Sequence, residues 1–122
     1  MEHLNLKNLG LPVGPYSHAV CHNGFLFTSG FTAFGTDAQS KSISVQARAI
    51  FQQLEQIARD QKRSLADLVK VTIFVTDLAE IEPLRDFLRK AYPGIPPASS
   101  LVQITGLFSP DLKIEIEAVF AL

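Results

Sequence analysis

The chain has 122 residues, with 47% hydrophobic and 19% charged residues and a formal net charge of -1. That length and composition fit one compact domain spanning 1–122, able to bury a core without staples. The weak charge balance argues against a nucleic-acid partner, because a phosphate-binding surface needs a clear basic excess. The single cysteine, Cys21, excludes an intrachain disulfide framework. No apolar run approaches the roughly 20 residues of a membrane span, and residues 1–11 lack the pattern of a secretory leader. The expectation is a soluble cytoplasmic protein without a membrane association.

In chain order, residues 1–15 read as an irregular arm closed by Gly14-Pro15. Residues 16–22 have strand character. Asn23-Gly24 is a strong hairpin signal, since both residues tolerate positive φ, and residues 25–29 read as the returning strand. Residues 30–41 are turn-rich, with a short strand or a loop.

Residues 42–62 read as a helix. Ala47, Ile50, Phe51, Leu54, Ile57 and Ala58 recur at helical spacing on one apolar face, and Gln46, Gln53, Glu55 and Arg59 are expected off that face. Ser64 to Asp67 is a turn with capping character. Residues 69–76 alternate with period two, which places Val69, Val71, Ile73 and Val75 on one face. A second helix begins near Asp77, with Ile81, Leu84, Leu88 and Ala91 as its buried stripe and Pro93-Gly94 at its end. Residues 99–105 and 113–121 read as strands.

Two helices interspersed among such strands predict an α+β sandwich, one mostly antiparallel sheet with both helices on one face. The opposite face mixes Glu, Thr, Ser and Gln with apolar residues. In a small protein such a face suits an oligomer interface or a site.

Common site patterns are missing. There is no phosphate-binding glycine loop. His3, His18 and His22 lack zinc spacing, and a His18/His22 pair on a strand would be spread over roughly 13 Å, so no metal is expected. Glu115 and Glu117 lie two apart on a strand, which puts both carboxylates on one face about 6.5 Å apart. They suit either a solvated strand face or a general base that positions a water. Gly14-Pro15-Tyr16-Ser17 is a rigid turn delivering a tyrosine, and Thr28-Ser29-Gly30 ends a strand with hydroxyls and a permissive backbone.

Taken together, these segments resemble the RidA/YjgF family. Gly14 to Val20, Gly24 to Gly30, Leu65 to Val75 and Ile114 to Ala118 follow its motifs in order, and Pro97-Ala98-Ser99-Ser100 stands where the family has Pro-Ala-Arg-Ser. The resemblance implies a chorismate-mutase-like sandwich that forms a homotrimer through its sheet. It also implies small-molecule ligands in clefts between subunits. Active members hydrolyse 2-imino acids to 2-keto acids and ammonia without a cofactor. By position, Glu117 would orient or deprotonate the attacking water, with Tyr16 and Ser29 beside it. Gly30, Ala98 and Ser99 would contact the substrate.

The departure from the family lies at Ser99, which replaces its carboxylate-binding arginine. A guanidinium supplies charge and orientation together, and loss of a buried charge partner costs about 2 to 5 kcal/mol. Arg85, on the second helix, either compensates for that cation or solvates its helix face. Thr105-Gly106 departs from the family pattern as well. Three functions follow: an imine deaminase-type hydrolase with altered substrate choice, a non-catalytic small-molecule binder or metabolic sensor, and a chaperone-like interaction protein.

Overall fold

A computed structural model describes residues 1–122. Six strands and two helices form two layers: β1 (Glu2–Leu4), β2 (Ala19–His22), β3 (Phe25–Thr28), α1 (Ile43–Asp60), β4 (Leu68–Val75), α2 (Ile81–Ala91), β5 (Ala98–Gln103) and β6 (Ile114–Ala121). The sheet order is β1-β2-β3-β6-β4-β5. All neighbours are antiparallel except β4 and β5, which the α2 crossover joins in parallel. α1 lies across β6 and α2 packs beside α1, so both helices cover one face.

Local chemistry explains most of this. Asn23 and Gly24 take positive φ, 50° and 80°, in the two-residue turn of the β2–β3 hairpin. Ser42 caps α1 by accepting from the Val45 amide. Ser64 and Asp67 form a capping box around a short 3-10 turn before β4. In β6, Ile114, Ile116, Ala118 and Phe120 are buried under α1, while Glu115, Glu117, Val119 and Ala121 face the other way. The core joins these residues to Leu26, Val71, Ile73 and the apolar stripe of α1. Each large aliphatic buried this way contributes about 1.5–3 kcal/mol.

The structure corrects several expectations. The N-terminal arm is not wholly irregular, because β1 pairs with β2 and Leu9 sits in a 3-10 turn. Residues 30–41 form no strand, only a bridge between Phe31 and Ile116. Val69 does not share the face of Val71. A bulge between Leu68 and Lys70 shifts the register, so Val69 is exposed and Leu68 packs on the core. Gln46 is fully buried rather than off the apolar face. Its amide donates to the carbonyls of Gln39, Lys41 and Asp111 and accepts from the Lys113 amide. It thereby ties two loops to α1 and satisfies backbone groups that would otherwise be orphaned.

The face away from the helices is uncovered. Phe25, Phe27 and Val102 are exposed there, and all six residues of β5 are exposed.

Candidate functional site

A cleft of about 430 Å³ opens at the end of the sheet where β3 stops. Its walls are the arm residues Leu9, Leu11, Pro12 and Val13, then Tyr16 and His18, the Ser29–Thr32 segment, Phe34, Gln53 from α1, Phe108 and Glu115.

A mismatch in strand register builds its centre. Phe27 opposes Val119, and Phe31 opposes Ile116. Four steps on one strand (31 - 27) therefore match three on the other (119 - 116), and the chain bulges at Ser29 and Gly30. Thr28 stabilises the bulge. Its hydroxyl accepts from the Ala118 amide at 2.9 Å and donates to the Ser29 carbonyl at 2.8 Å. The bulge brings Gly30 against the Glu115 side chain, so closely that a Cβ on Gly30 would overlap the carboxylate. Burial, and then the nearby Glu117 charge, push the Glu115 carboxyl above its ordinary range.

The arm is held over the cleft by a reciprocal lock. The Leu6 amide donates to His18 Nδ1 at 3.0 Å, and the His18 amide donates to Asn5 Oδ1 at 2.9 Å. His18 is buried against Phe31, with ring centroids 5.8 Å apart, and desolvation lowers its pKa. Ser29 Oγ donates to the Ser17 carbonyl at 2.6 Å, leaving that hydroxyl only lone pairs to offer. The Gln53 amide nitrogen is likewise spent on the carbonyls of Thr32 and Ala49. Tyr16 follows the tight turn at Gly14, where its amide donates to the Gly14 carbonyl. At the mouth, Phe34 and Phe108 pack with centroids 4.7 Å apart.

Of the residues singled out from the sequence, Tyr16, Ser29 and Gly30 meet in this cleft. Glu117 does not line it. It is exposed on the free sheet face opposite Thr72, and Glu115 stands at the cleft instead. Ala98 and Ser99 sit on the exposed edge strand opposite Lys70 and Val71. Arg85 is exposed on α2 and pairs with Glu82 at 2.7 Å. Sequence reasoning missed His18 and Gln53 as cleft residues. A polar residue beside an apolar helical stripe was the available signal for Gln53. The groups of His, Cys, Asp and Glu include no cluster able to hold a metal ion.

This arrangement of a helix-covered sheet is shared with known proteins. The chain matches the family model described as Endoribonuclease L-PSP over residues 8–122. It is 34% identical to a RutC family protein of Buchnera aphidicola over 111 residues, which cover 88% of this chain and 86% of that protein. It is 29% identical over 113 residues to Reactive Intermediate Deaminase A, chloroplastic, of Arabidopsis thaliana, covering 90% of this chain and 60% of that one. Among solved structures, the YjgF gene product of E. coli superimposes with a TM-score of 0.88 at 25% identity, covering 99% and 98% of the two chains. RidA from an Antarctic Psychrobacter gives 0.83 at 26% identity, covering 92% of each. The fold and cleft are those of a small α+β protein with a helix-backed sheet. The chain belongs to the RidA/YjgF family.

Proposed function

We propose that the protein hydrolyses C=N bonds of small imines or enamines, releasing ammonia, with no cofactor and with a substrate choice altered from its family. The observation that carries this reading is the Glu115 carboxylate, partly desolvated and seated on the Gly30 backbone inside a cleft. Imine hydrolysis needs a placed water and a base within reach of it, and a carboxylate held in the cleft, its pKa moved upward by burial, suits that task. Glu115 takes the role that the resemblance assigns to Glu117, and Glu117 assists through its charge. Tyr16, Ser29 and Gly30 line the ligand. The name of the Arabidopsis relative, a reactive intermediate deaminase, supports the same chemistry.

The functional unit is a homotrimer in the cytoplasm. The open sheet face, with Phe25, Phe27 and Val102 uncovered, favours assembly through the sheet. Such assembly would bring Ala98, Ser99 and Arg85 of a neighbour toward each cleft. The cleft walls contributed by one chain carry no Lys or Arg, which disfavours RNA as the ligand.

A second reading, a non-catalytic binder, is favoured by Ser99, which offers a hydroxyl where the resemblance implies a guanidinium. Hydrolysis of 2-iminopropanoate, generated in situ by an amino-acid oxidase, separates the two. Acceleration by the native chain supports the enzyme. A native chain that is inert while Ser99→Arg is active supports a working site with another natural ligand. Inertness of both supports the binder.

A further inference from the structure

Between the end of β1 and Tyr16 the backbone hydrogen bonds are local, from the Leu9 amide to Leu6 and from the Gly10 amide to Lys7. The one backbone group of that segment bonded to the rest of the fold is the Leu6 amide, and its acceptor is His18 Nδ1 at 3.0 Å. Two side chains add to it. Asn5 Oδ1 accepts from the His18 amide at 2.9 Å, and Asn8 donates to Gln56 at 2.7 Å on the surface. Leu6 and Leu9 rest against the core, but apolar contact is non-directional and does not fix the residues that follow. Past Gly10, whose φ is 76°, Leu11 and Val13 are 91% and 66% exposed, yet with Leu9 and Pro12 they form one wall of the cleft. The position of that wall depends on His18.

The same ring can titrate. An amide N–H points at Nδ1, so the ring accepts there only while Nδ1 is unprotonated. A proton on Nδ1 would set two donors face to face and put a charge on a side chain that is 3% exposed. The charged and titratable groups around it are Glu2, His3 and Lys7 on the arm, Tyr16 just before it, Asp60 on α1 and Glu115 across the cleft. No ion pair of the chain includes His18, so none of them holds a proton on the ring. His3 is exposed and reaches only Ser17 Oγ, at 3.4 Å, so its ring takes a proton without giving up a backbone bond.

We infer that His18 is a latch: its neutral ring holds the arm as a wall of the cleft, and proton uptake frees residues 5–13, opens the cleft and weakens ligand capture in acid. His18 is thus a positioning residue that acts through the arm. The consequence for turnover rests on the imine-hydrolase reading, and the latch itself does not.

Hydrogen exchange of single amides, followed by NMR on the full-length protein, tests the latch. Corrected for intrinsic exchange, protection of the Leu6 amide should be level above about pH 6.5 and fall by up to about tenfold per pH unit below it. The Ile116 amide in β6 should keep its protection over the same range, which separates a freed arm from global unfolding. In His18→Asn, Oδ1 stands where Nδ1 stood and does not titrate, so the Leu6 amide should lose its acid dependence. Asn5→Ala should lower Leu6 protection at every pH and keep that dependence, which covers the case where His18→Asn fails to fold. Leu6 protection that is flat below pH 6.5, that falls together with Ile116, or that falls equally in His18→Asn overturns the inference. In hydrolysis of 2-iminopropanoate, KM should rise as the Leu6 amide loosens, in the native chain and not in His18→Asn, while the titration of Glu115 appears in kcat in both. A KM indifferent to the opening of the arm also overturns the inference. Without hydrolysis at any pH the hydrolase reading falls, and the latch is judged by exchange.

Discussion

Gly30 and Glu115 occupy a space that only a residue without a side chain leaves open. Gly30 does not have positive φ, so close approach rather than backbone freedom demands the glycine. Gly30→Ala must therefore displace the Glu115 carboxylate or the bulge. The displaced atoms belong to a flexible side chain, so the change should cost activity, through the misplaced carboxylate, more than stability in urea denaturation.

Glu115→Gln should lower kcat by at least about 100-fold, the usual lower range for losing a general base. Glu117→Gln should have a much smaller effect, and it should move the pH profile of activity toward acid by removing a neighbouring charge. Stability should respond in the opposite sense. The folded-state pKa of Glu115 lies above the ordinary value of 4.5, so the native state binds the proton more tightly. As pH rises through that folded value, the native chain loses stability that a neutral glutamine would keep. The melting temperature of Glu115→Gln should therefore exceed that of the native protein near pH 7.

His18 provides a second pH signature. Its pKa is lowered from 6.5, so the unfolded chain takes up the proton first. Stability from the neutral ring is complete above the unfolded value and is lost as pH falls from there through the folded one. His18→Gln should flatten the acid side of a melting-temperature profile below about pH 6.5.

Thr28→Val keeps the shape of the side chain and removes both bulge hydrogen bonds. The buried Ala118 amide loses its acceptor, which costs about 1–3 kcal/mol. Thr28→Ser should recover most of it. Activity should fall with Thr28→Val even where the protein stays folded, since the bulge sets the Gly30–Glu115 contact.

Gln46→Leu should be among the most damaging changes. Three carbonyls and one amide lose their partner in a site without solvent, and about 3 kcal/mol or more is expected. Tyr92→Phe should behave oppositely. The Tyr92 hydroxyl is buried with no hydrogen-bond partner and its pKa is pushed up to about 12. Removing it should leave the melting temperature unchanged or raise it.

Most of the layer arrangement was legible in periodicity. The alternation of Ile114 to Phe120, the stripe of α1 and the Asn23-Gly24 turn each report a local rule that the tertiary structure keeps. Legibility ended where a contact is non-local. Period two places Glu115 and Glu117 on one face and cannot rank them. The choice is made by a bulge more than eighty residues earlier in the chain. Val69 is out of phase because one residue is inserted into the ladder, which no count of alternation reveals. The tautomer of His18 depends on the Leu6 amide, twelve residues away across the arm. The polarity of Gln46 disguised a residue that serves the backbone rather than solvent.

The edge strand β5 has a consequence for the newly made chain. Ala98 to Gln103 carries no charged residue, no proline, and pairs on one side only. Natural edges usually carry lysine, proline or a bulge that discourages a stranger from adding a strand. The strand itself lacks those guards, so two newly made chains can join edge to edge. Overproduction should therefore yield inclusion bodies more readily at high synthesis rates than at low ones. A single Leu101→Lys change should raise the soluble yield.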